Sequence, residues 1–205
     1  MAIRVAWLFP GQGSQDVGMG RDLFGKDDFA DALIAEASDA SGRDLAKLCT
    51  RGPARILAQT EYLQPALTVI CLALWRRLAD ASVAPVAVAG HSLGELPALV
   101  ASGMADPRSV VRLAATRGAL MSRAAAKTPG SMIAVTGVGV EALTSAVSTF
   151  AGPGELAVAA VNAPTQGTVS GDPQPLAALT KQLGSAPGVK VTELRVSGAW
   201  HSGHM

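Results

Sequence analysis

Ser92 sits in Gly90-His91-Ser92-Leu93-Gly94, directly after the apolar run Pro85-Val86-Ala87-Val88-Ala89. That pattern predicts a buried strand, a sharp turn carrying the serine, and a helix from Glu95 to Ala101. Side chains two residues to either side of such a serine would collide across the turn, so glycine is wanted at positions 90 and 94. The helix aims its free amides and positive dipole end at the hydroxyl, which favours an oxyanion formed there. Ser92 is therefore a candidate nucleophile; the other reading is an ordinary Gly-rich strand-to-helix turn.

A nucleophilic serine needs a base, and the chain has three histidines: His91, His201 and His204. His91 neighbours the serine, but adjacent residues on a turn point apart. His201 is the better candidate, because the strand-like run and turn through Val196-Ser197-Gly198-Ala199-Trp200 would return it to the sheet edge. The alternative is a surface histidine near a chain end. Arg117 lies at 100° per residue in the middle of an apolar stripe of Val110, Leu113, Ala114, Leu120, Met121 and Ala124, with Arg108, Arg112 and Arg123 opposite. A buried guanidinium must meet an anion, either an Asp or Glu in a structural pair or an anionic substrate gripped beside the nucleophile. Gly11-Gln12-Gly13-Ser14-Gln15 fits neither a dinucleotide fingerprint nor a P-loop, and suits a second oxyanion donor or a pocket wall.

The elements that must position these residues read as follows. Residues 3 to 9 form a near-continuous apolar run, the pattern of a strand buried on both faces. Helices are expected at about 28 to 41, at about 65 to 80 opened by Pro65, and from a cap at Asp106-Pro107 to about Ala126. Strands alternating with helices indicate an α/β class with a parallel sheet. After Thr128-Pro129-Gly130 the texture changes. Short strands at 131 to 136, 155 to 161, 166 to 170 and 189 to 196, with helices at 140 to 150 and 173 to 184, give the order βαββαβ of a ferredoxin-like unit. The expected domains are 1–128 with 198–205 as the core, and 129–197 as a small inserted α+β subdomain.

Composition narrows the classes. Hydrophobic residues make up 49% and charged residues 16%, and seventeen basic against sixteen acidic residues leave a charge of +1. No bulk electrostatic argument favours nucleic acid or an anionic membrane. Cys49 and Cys71 stand alone, without zinc-site spacing or a disulfide framework, so no metal is expected and a reducing cytoplasm is the simplest setting. The apolar start Met1 to Phe9 is too short for a signal peptide, and no segment has the apolar length to span a bilayer.

Six motifs, in order and spacing from residue 7 to residue 205, resemble malonyl-CoA:acyl carrier protein transacylases and the related acyltransferase domains of polyketide synthases. They are Gly11-Gln12-Gly13-Ser14-Gln15, Gln64-Pro65-Ala66, Gly90-His91-Ser92-Leu93-Gly94-Glu95, Arg117-Gly118 with Met121, Asn162-x-Pro164-x-Gln166 leading to Ser170-Gly171, and His201-Ser202 with Met205. The resemblance implies an α/β-hydrolase-like nucleophile elbow and a ping-pong transfer. Ser92 would take malonyl from coenzyme A, and a phosphopantetheine thiol on an acyl carrier protein would take it away. By the same resemblance His201 is the base, Gln12 and Leu93 form the oxyanion hole, and Arg117 binds the malonyl carboxylate. Met121, Asn162, Trp200 and His91 would complete the substrate site, with Asn162 helping to close it. No permanently bound cofactor is implied, only the coenzyme A thioester as substrate, and a complete chain would act as a monomer. An acyl hydrolase of the same fold, or a non-catalytic acyl or carrier-protein binding fragment, is the alternative.

The chain departs from the family pattern at several points. Trp200 is bulkier than the usual residue before the histidine and is expected to crowd the acyl α-carbon. His204 replaces a commoner leucine, and Pro97 stands early in the nucleophile helix. Family members continue well beyond this histidine, and a later main-chain carbonyl orients its imidazole. The 205-residue chain is accordingly expected to be a slow enzyme by itself, with His201 on a fraying end.

Overall fold

The computed structural model describes residues 4–205. The first three residues of the strand-like start, Met1 to Ile3, lie outside the described residues. The chain divides into two compact units, one running to Leu120 and one from Met121 to Met205.

In the first unit, strand β1 (Ala6–Phe9) is followed by helices α1 (Asp28–Ser41), α2 (Leu45–Arg51), α3 (Ala54–Leu57) and α4 (Thr60–Asp80). Strand β2 (Ala87–Gly90), a single 3₁₀ turn at Ser92–Gly94 and helices α5 (Glu95–Ala101) and α6 (Pro107–Lys127) come next, α6 carrying the unit boundary. β1 and β2 pair in parallel, from Ala6 opposite Ala87 to Phe9 opposite Gly90. The α/β class with a parallel sheet thus stands. Local chemistry sets the helix ends. Asp27 accepts from the Ala30 amide at 3.0 Å and Asp44 from the Lys47 amide at 2.8 Å, each satisfying an orphan donor of a first turn. The expected cap at Asp106 accepts from the Ser109 amide at 2.9 Å.

Three expectations change. Helix α4 begins at Thr60 rather than Pro65, and the proline is accommodated inside it. The expected stripe on α6 is displaced: Leu113 and Leu120 are 49% and 52% exposed, while Val110, Val111, Ala114 and Ala115 are buried. β1 is covered on one face only. Trp7 and Phe9 pack with Leu63, Leu67, Cys71, Leu93, Ala98 and Ala114, whereas Leu8, pointing the other way, is 77% exposed.

The second unit runs β3 (Ser131–Thr136), α7 (Val140–Ser148), β4 (Leu156–Ala163), β5 (Gln166–Gly171), α8 (Pro173–Gly184) and β6 (Lys190–Glu193). Its four strands form an antiparallel sheet in the order β4-β5-β3-β6. Ile133, Val135, Leu143, Val169, Leu176 and Leu179 make its core. Among the described residues, no helix is long and apolar enough to cross a membrane.

Candidate active site

Ser92 has φ +52°, a left-handed conformation that a side chain adopts only where its surroundings impose it. The surroundings are the two glycines. A Cβ at Gly90 would run into the Gly94 backbone, and one at Gly94 into the Phe9 carbonyl at the end of β1. The elbow is therefore packed against the carboxyl end of the parallel pair, where the His91 amide also donates to the Phe9 carbonyl at 3.0 Å. Gly11 must be bare for a similar reason: a Cβ there would stand 2.8 Å from the His91 carbonyl oxygen and 2.9 Å from its Nδ1. This close approach brings the loop of Gln12 beside the elbow. Leu93 follows Ser92 in the elbow and is buried. Backbone amides in such positions can stabilise an oxyanion.

Arg117 is half-buried and reaches the elbow. Its Nη2 donates to Ser92 Oγ at 3.4 Å, and its Nη1 donates to Gln64 Oε1 at 2.8 Å. Gln64, fully buried on α4, donates through Nε2 to Gln12 Oε1 at 3.0 Å, and Gln12 donates onward to Thr60 Oγ1 at 3.2 Å. The Gln12 side chain is thus committed to this network, which leaves its backbone amide as the group suited to an oxyanion. Sequence reasoning expected Arg117 to meet either a structural carboxylate or a substrate anion. Among the described residues no carboxylate pairs with it directly. Burial pushes its pKa below the ordinary arginine value, and the negative charge of Glu95 at the start of α5 partly offsets this. A guanidinium held by a neutral amide and a hydroxyl keeps its full charge available to an incoming anion.

Gln64 and Thr60 were missed as site residues. The available signal was a polar side chain inside the apolar run Leu63-Gln64-Pro65-Ala66-Leu67, which has to find a buried partner.

The remaining predicted site residues belong to the second unit. His201 is exposed, with φ +61°. Ser82, Ser92 and His201 are the non-glycine residues with positive φ among the described residues, so two of the three are the nucleophile and base candidates. Trp200 is buried, in a cluster with Ala125 and Met132 that Met121 flanks. Asn162 is exposed on β4 and donates to Thr168 Oγ1 on β5 at 3.3 Å. The end of the chain is held more firmly than the expected fraying. The Ser202 hydroxyl donates to the Ala199 carbonyl at 2.7 Å, and the Met205 amide donates to the Ser202 carbonyl at 3.2 Å. Cys49 and Cys71 are buried, and burial pushes both thiols up to about 12, so neither supplies a thiolate at neutral pH. Among the described residues no cluster of three potential metal ligands occurs.

A glycine-flanked serine in a left-handed turn, with an arginine on its hydroxyl, invites comparison with known acyl-transferring proteins. The family model described as acyl transferase domain matches residues 6–205. The chain belongs to this family. It is 37% identical over 203 residues to a polyketide biosynthesis malonyl CoA-acyl carrier protein transacylase of Bacillus velezensis, covering 98% of this chain and 68% of the relative. A crystal structure of malonyl CoA-acyl carrier protein transacylase from Burkholderia pseudomallei superposes with a TM-score of 0.86 at 35% identity, over 100% of this chain and 68% of that one. A type II polyketide synthase acyl carrier protein in complex with its malonyl-transacylase matches with a TM-score of 0.84 at 34% identity, over 96% and 64%. The chain spans about two thirds of the length of these three proteins, and half of a Bacillus subtilis relative.

Proposed function

We propose that this chain transfers a malonyl group from malonyl-CoA to the phosphopantetheine thiol of an acyl carrier protein through an ester on Ser92. The Ser92 oxygen attacks the thioester carbonyl while His201 takes the hydroxyl proton. The carbon–sulfur bond then breaks, and the proton returns to the departing coenzyme A thiolate. In the second half the carrier thiol gives its proton to His201 and attacks the ester, and Ser92 leaves as the hydroxyl. The amides of Gln12 and Leu93 hold the oxyanion of both tetrahedral intermediates. Arg117 grips the free malonyl carboxylate. His91, Met121, Asn162 and Trp200 line or close the acyl site, with the Trp200 indole limiting bulk at the α-carbon. No resident cofactor enters the scheme.

The observation that supports this reading is the Arg117 fork between Gln64 and Ser92 Oγ, a guanidinium suited to a carboxylate beside a serine with φ +52°. The βαββαβ order and the strand order β4-β5-β3-β6 support a ferredoxin-like subdomain over residues 129–197, with 1–128 and 198–205 as the acyltransferase core. The soluble, cytoplasmic setting is part of the same reading, as is a monomer for the complete enzyme.

Incubation with malonyl-CoA, with and without a phosphopantetheinylated carrier protein, tests it. Transfer predicts a malonylated chain that is discharged onto the carrier. Free malonate released faster than carrier product would mark a hydrolase, and no covalent adduct would mark a binding fragment.

A further inference from the structure

Three residues after His201, the His204 side chain is only 7% exposed although it lies next to the last described residue. Its Nε2 lies 3.3 Å from Asp172 Oδ1 and 3.8 Å from Glu155 Oε2. Carboxylates only accept, so a proton on this nitrogen would face both of them. The other oxygen of Glu155 accepts the Gly203 amide, so one carboxylate touches two consecutive residues of the turn. The two acidic residues are themselves locked together. The Glu155 amide donates to Asp172 Oδ2 at 2.7 Å, and the Asp172 amide donates to the Glu155 carbonyl at 2.9 Å. They sit at the ends of the paired strands β4 and β5, whose register runs from Leu156 opposite Gly171. On the other side of His201, Trp200 is 4% exposed in its cluster with Ala125 and Met132. His201 thus stands between an apolar anchor at 200 and a charged anchor at 203 and 204, in a left-handed conformation that only over-determined surroundings maintain.

We infer that His204 is a positioning residue, clamped by Asp172 and Glu155 so that the turn Ala199–Met205 holds the His201 backbone in place. The inference rests on the reading of His201 as the base. Its mechanical part does not, because the anchoring of the turn is measurable without activity. Losing the Nε2 nitrogen leaves the two neighbouring carboxylates without the side chain they share, so the turn is released from the strand ends.

The test compares the wild-type chain with His204→Leu, which keeps bulk and removes the donor, and His204→Gln, which restores an Nε2–H. Amide hydrogen exchange at residues 201–205 and the rate and KM of Ser92 malonylation are read for each. His204→Leu should speed exchange at 201–205 by at least about tenfold with β3 to β5 unchanged, since only the local opening is affected. Malonylation should slow by on the order of ten- to a hundredfold, with KM little changed, as expected for a base displaced by a fraction of an ångström to one ångström. His204→Gln should recover most of both. Should His204→Leu unfold the second unit, Asp172→Asn, which weakens the same contact from the carboxylate side, carries the comparison. Unchanged exchange at 201–205 in the folded variants overturns the inference, as does faster exchange with an unaltered malonylation rate. A wild-type chain that never malonylates overturns the functional reading instead, and the exchange data then still decide whether His204 anchors the turn.

Discussion

At the scale of single residues, the proposed function makes Arg117 the group that sets specificity, and Gln64 holds one arm of its guanidinium. Arg117→Ala should lose malonyl transfer and keep or gain acetyl transfer, because acetyl has no carboxylate to be gripped. A charged bidentate contact in a dry site is worth ~2 to 5 kcal/mol, or about two to three orders of magnitude in kcat/KM. Steady-state kinetics on the two thioesters measure this; equal losses on both would make Arg117 structural. Gln64→Leu should move in the same direction but by less, since it removes the amide that holds Nη1 and leaves the charge in place. The pairing of Ser92 with Arg117 was legible in the sequence, from a glycine-flanked turn and a cation among apolar helix positions, and the two meet at 3.4 Å. The Gln12–Gln64–Thr60 chain was not. It joins residues 48 and 52 positions apart, and only the packing of α4 against the first loop reveals it.

Among the elements, caps and strand faces carry the testable content. Asp27 caps α1 and pairs with Arg77 at 3.2 Å, and the Ala30 amide is the main reason its carboxyl lies below its ordinary value. A carboxyl lowered by folding adds stability that is fully present above the unfolded value, here 3.8, and is lost as the pH falls through the folded one. Asp27→Ala should therefore cost about 0.5 to 2 kcal/mol near neutrality, and the gap from wild type should close in acid below that value. Denaturant unfolding at several pH values checks both the size and the sign. On β1, Phe9→Ala should cost about 3 to 5 kcal/mol while Leu8→Ala costs well under 1, because one side chain is buried and the other exposed. Equal costs would mean that β1 is covered on both sides. The run Ile3 to Phe9 read as a doubly buried strand because apolar residues occupy both faces, and composition cannot say which face is covered. Helices α2 and α3, of seven and four residues, escaped notice because segments so short give periodicity nothing to repeat.

For the molecule as a whole, every element of the βαββαβ unit was legible in order, with ends displaced by one to three residues at β4, β5, α7 and β6. Its strands are short runs rich in Val, Ala and Thr, and Gly and Pro mark several of the turns between them. In the first unit the elbow and the long helices α1, α4 and α6 were legible, α4 beginning five residues earlier than expected. The covalent intermediate is the central claim of the proposed function, since every role assigned there serves its formation or discharge. Intact-mass measurement after incubation with malonyl-CoA, on the wild-type chain and on Ser92→Ala, tests it directly. The account predicts one added malonyl group on the wild type, mapped to Ser92, and none on a folded Ser92→Ala. Labelling of the variant at the wild-type level, or a malonyl group mapped to any other residue, would contradict it.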